Sequence, residues 1–80
     1  MSHDLNHKPR PTFANWEEAH MWMMAEVGDP CVDNFRYAWS DNGAECAAYD
    51  HLREKGCCGS FDELVTINGR EARIGCNYGH

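Results

Sequence analysis

The sequence predicts an α+β fold: two helices packed on a three-stranded antiparallel sheet that ends in a β-hairpin, in the order α-β-α-β-β. Three observations predict it. Apolar residues recur at helical spacing behind Asn15, aromatic residues alternate over residues 34–39, and Asn68-Gly69 separates two further alternating runs.

Residues 1–11 carry Pro9 and Pro11 and little to bury, so they read as a loose or weakly docked arm. A single domain is expected over 12–80. Asn15 with Glu18 three residues on resembles a capping box, with Asn in place of Ser or Thr. A helix over 16–27 follows, stopped by Gly28, Asp29 and Pro30. Trp16, Ala19, Met23 and Val27 share its core stripe, while Met21, Trp22 and Ala25 fall roughly opposite.

Phe35, Tyr37 and Trp39 alternate with Asn34, Arg36 and Ala38, which is strand periodicity. Ser40-Asp41-Asn42-Gly43 makes a turn able to cap a helix. The Ala-rich residues 44–55 form that helix, with Gly56 just past its end. Asn68-Gly69 suits a type I′ hairpin turn, whose two positions need positive φ. The turn fixes the register: Ile67 opposite Arg70, Val65 opposite Ala72, Glu63 opposite Ile74, Phe61 opposite Cys76. One hairpin face is then apolar apart from Glu63. The other carries Asp62, Leu64, Thr66, Glu71 and Arg73, and is expected to be mostly wet.

Eighty residues with a net charge of −6 argue against neutralising nucleic-acid phosphates or docking on an anionic membrane. The acidity is concentrated. Residues 12–50 hold eight acids against Arg36 alone, whereas residues 51–80 balance at four of each. Such a field serves solubility or steers a basic partner. Steering charges are expected at Glu17, Glu18, Glu26, Asp29, Asp33 and Asp41. Met21 and Trp22 are expected as apolar anchors, because Met and Trp suit interface cores and a chain this short has little to cover them. Homodimerisation through the first helix is a secondary expectation.

The five cysteines, without a visible apolar signal core, point to reduced thiols and a cytoplasmic location. The hairpin brings Cys57 and Cys58 towards Cys76 and His80. With His51, these residues are able to supply four zinc ligands, although no two-residue-spaced cysteine pair is present. Buried small thiols, and a reactive Cys57 or Cys58, are the competing readings. No catalytic motif emerges: Glu17 and Glu18 are adjacent and diverge on a helix. The expected cofactor is therefore none, with zinc as the alternative.

In size, acidity and its single cysteine-bearing α+β domain without a catalytic motif, the chain resembles the small phage proteins that disable host systems, of the anti-CRISPR type. The resemblance implies a non-enzymatic, stoichiometric inhibitor acting in a bacterial host cytoplasm. Its partner would be a host protein or ribonucleoprotein complex, met on a basic surface that normally holds nucleic acid. That group shares no motif, so no residue role transfers to this sequence.

Overall fold

The computed structural model describes residues 10–56 and 59–79. The elements are β1 (Thr12–Phe13), α1 (Trp16–Val27), β2 (Val32–Trp39), α2 (Gly43–Glu54), β3 (Gly59–Ile67) and β4 (Arg70–Tyr78). The strands form one four-stranded mixed sheet in the order β1-β3-β4-β2. The expected α+β class with two helices holds. The three-stranded antiparallel sheet is corrected by the addition of β1, which pairs in parallel with β3.

Both helices start on asparagine caps. The Asn15 side chain accepts from the Glu18 N–H at 2.9 Å, and Glu18 Oε1 accepts from the Ala14 N–H. The Asn42 side chain accepts from the Glu45 N–H. The two asparagine bonds satisfy donors that a helix leaves open in its first turn. At the far end of α1, the Gly28 N–H closes on the Met24 carbonyl.

The β3–β4 hairpin has the expected register, including Phe61 opposite Cys76. Asn68 and Gly69 take φ of 51° and 81°, the left-handed values that a type I′ turn requires. β1 is only two residues long and is held from a distance. The Thr66 N–H donates to the Pro11 carbonyl, and the Asn68 N–H donates to the Phe13 carbonyl.

The helices take opposite faces of the sheet. Ala19 and Met23 of α1 pack on Val65, Ile67, Ala72, Ile74 and Cys76, all buried. The other hairpin face, expected to be mostly wet, is partly covered where α2, which packs chiefly on β2, reaches it. Tyr49, 1 % exposed, lies against it beside Gly75. The side chain of Arg36 is fully buried there and its guanidinium is saturated. Asp62 Oδ1, Asn77 Oδ1 and the carbonyls of Asn34, Phe61 and Cys76 accept from it. Leu64 and Glu71 on this face stay exposed, while Asp62, Thr66 and Arg73 are partly covered. Asp62 is drawn in because it is the acceptor for the buried guanidinium and the Tyr49 hydroxyl.

Candidate docking surface

α1 lays Ala19 and Met23 on the sheet, so Glu17, Glu18, Met21 and Ala25 point outward. Met21 is 65 % exposed. It follows Glu17 and Glu18 by four and three residues, so both carboxylates flank it on the helix surface. Trp22 sits one position on, 100° around the helix, and turns down to the sheet. It lies between Phe13 and Phe61, with ring centroids 5.5 Å from each. The sequence placed Trp22 beside Met21 as an exposed anchor. The structure makes it part of the α1 core flank, because β1 brings Phe13 over it.

The ion pairs divide the acids into two groups. Every arginine is engaged: Arg10 with Glu71, Arg36 and Arg53 with Asp62, Arg70 with Asp41, and Arg73 with Asp50. These partners lie on α2, the turn before it and the hairpin. Among the described residues, eight acids have no ion-pair partner. Glu17, Glu18, Glu26, Asp29 and Asp33 belong to α1, its exit turn or the start of β2, and Glu45, Glu54 and Glu63 are spread over α2 and β3. Asp29 fixes that exit turn, its carboxylate accepting from the Cys31 N–H at 2.7 Å.

Asp41 differs from the other expected steering charges. Arg70 grips both its oxygens, at 2.7 and 3.3 Å, and the guanidinium lies 4.1 Å from the Trp39 ring centroid. The hydrogen bond from Arg70 holds the Asp41 carboxyl below its ordinary range. A neutralised carboxylate of this kind adds little to a long-range field.

Beside α1, β2 forms an edge of the sheet and presents Phe35 and Tyr37, 36 % and 39 % exposed. His20 Nδ1 lies 2.7 Å from the Tyr37 hydroxyl, and the His20 ring centroid is 5.1 Å from that of Phe35. Trp16 meets Tyr37 edge-on at 5.6 Å. Burial raises the Tyr37 phenol above its ordinary range, with Cys76 adding to the rise, so it stays uncharged at neutral pH. Sequence alternation marked both aromatics as strand residues. It gave no sign that their strand forms an edge, where the rings stay partly in solvent.

The expected zinc ligands are not all placed by the structure. Cys57, Cys58 and His80 lie outside the described residues. Cys76 is 0 % exposed in the core beneath α1, whereas His51 is exposed on α2, across the sheet. Those two do not meet. Burial raises the Cys76 thiol, which disfavours the thiolate that a metal needs. The described residues contain no group of three or more His, Cys, Asp or Glu arranged to hold a metal.

No protein-family model, curated protein or solved structure matches this chain. Among the described residues, no helix is long and apolar enough to cross a membrane.

Proposed function

We propose that the chain is a non-catalytic, acidic binding protein, a stoichiometric inhibitor that docks on a basic, nucleic-acid-binding surface of a host protein complex. One observation carries this reading. Five of the eight carboxylates without an ion-pair partner among the described residues gather on α1, its exit and the start of β2, around an exposed methionine, while the arginines are spent on acids elsewhere. Glu17, Glu18, Glu26, Asp29 and Asp33 supply the steering field, and Met21 supplies the apolar contact. Uncompensated charge raises encounter rates, and a central apolar side chain slows release.

The test is affinity capture from bacterial lysate, with the wild type beside Glu17→Gln/Glu18→Gln and Met21→Ala. The reading expects a nucleic-acid-binding protein that the wild type retains, both variants lose, and added RNA or DNA displaces. Retention that is indifferent to the substitutions and to nucleic acid overturns it.

A further inference from the structure

Three arginines of this chain share one arrangement: a guanidinium over an aromatic ring and bonded to an aspartate. Arg70 lies 4.1 Å from the Trp39 ring centroid and bonds Asp41. Arg73 lies 4.1 Å from the Tyr49 centroid and bonds Asp50. Arg36 lies 5.2 Å from the Tyr49 centroid and bonds Asp62. Further along β2 from Trp39, beside α1, the same ingredients occur without the cation. Phe35 and Tyr37 keep more than a third of their surface in solvent, and no guanidinium covers either ring among the described residues. Glu17 precedes His20, the residue packed on Phe35, by three positions and so neighbours it on the α1 surface, and it has no ion-pair partner among the described residues.

We infer that the Phe35–Tyr37 edge with Glu17 is an arginine-selective contact, filled by an arginine side chain of the partner protein. The inference rests on the docking function proposed above and names the chemistry at its centre. Arginine fits better than lysine for a physical reason. A guanidinium is planar and weakly hydrated, so it stacks on a ring while its edge forks onto a carboxylate. An ammonium is compact, strongly hydrated and makes a point contact. The site is preorganised: the His20 contact fixes the Tyr37 hydroxyl, Trp16 supports the Tyr37 ring, and Phe35 packs on His20. Because β2 is an edge strand, the rings are reached without any element moving.

The experiment uses fluorescent octa-arginine and octa-lysine, which carry equal charge, in titrations against the full chain at physiological salt. Wild type is expected to bind octa-arginine about fivefold more tightly than octa-lysine. In Phe35→Leu/Tyr37→Leu the two affinities should converge, with octa-lysine binding unchanged. Phe35→Leu alone, at a partly exposed ring, gives an intermediate ratio and covers the case in which the double variant fails to fold. Equal affinity of the wild type for both peptides overturns the arginine contact and leaves the acidic docking function standing, as does a preference that persists in the variants. Failure of both peptides to bind overturns both.

Discussion

The Tyr49 hydroxyl donates to Asp62 Oδ1 at 2.8 Å, and the same carboxylate oxygen accepts from Nε and a terminal nitrogen of Arg36. One aspartate thus ties α2 to β3 and β2, and supplies the counter-charge for an arginine whose side chain is fully buried. Asp62→Asn keeps the shape and removes that charge. Stranding a buried guanidinium costs about 3–5 kcal/mol. A domain of this size has roughly 4–12 kcal/mol in total, at about 0.05–0.15 per residue. Chemical denaturation of Asp62→Asn is expected to show a loss of at least about 3 kcal/mol. A loss below about 1 kcal/mol would show that water reaches Arg36.

The same contact makes stability depend on alkaline pH. Burial, then the hydrogen bond to Asp62, pushes the Tyr49 phenol well above its ordinary range. The unfolded chain releases that proton above about pH 10, while the folded chain keeps it. The folded state then binds more protons, so stability is full below about pH 10 and falls as pH rises further. One such group gives a slope of at most about 1.4 kcal/mol per pH unit. The raised Cys76 thiol acts with the same sign from about pH 9. Urea midpoints between about pH 8 and 11 should fall, and more gently in Tyr49→Phe. An identical pH profile in the variant would contradict the assignment to Tyr49.

Gly75 is required by this packing. A Cβ there would sit 2.5 Å from the Phe61 carbonyl oxygen and 2.8 Å from Asp62 Oδ1, and would collide with the Tyr49 hydroxyl. Gly75→Ala should destabilise by about 1–3 kcal/mol, as overpacked cores do. Adding Tyr49→Phe removes one of the three clashing atoms, so the double variant should lose less than the sum of the singles. Strict additivity in thermal denaturation would show that the alanine is accommodated without touching Tyr49.

Local chemistry was legible in the sequence, and long-range chemistry was not. Asn15 with Glu18 announced α1, and Asn68-Gly69 set the whole hairpin register, because each signal acts within a few residues. β1 escaped notice because two residues carry no periodicity. Its hydrogen bonds come from Thr66 and Asn68, more than fifty positions away. Asp62 and Arg73 read as solvent-facing until Tyr49 and Arg36 arrived to pair with them. The acidic bias of residues 12–50 was countable, but which acids stay unpaired was not. Arg70 reaches Asp41 across a separation of 29 residues, which removes one of the expected steering charges.

Met21 and Trp22 are neighbours in sequence with opposite fates, and their substitutions separate folding from docking. Met21→Ala removes a side chain that stands in solvent, so unfolding free energy should move by no more than about 0.5 kcal/mol. Trp22→Ala opens a gap between Phe13 and Phe61, and should cost about 3 kcal/mol or somewhat less, since the ring is only partly buried. The loss of Phe13's partner should also loosen β1. Hydrogen exchange at the Thr66 and Asn68 amides, which hold β1 to β3, should then accelerate more than at the amides joining β3 to β4. A Trp22→Ala protein as stable as the wild type would mean that Trp22 swings free of the sheet, and would return it to the docking surface beside Met21.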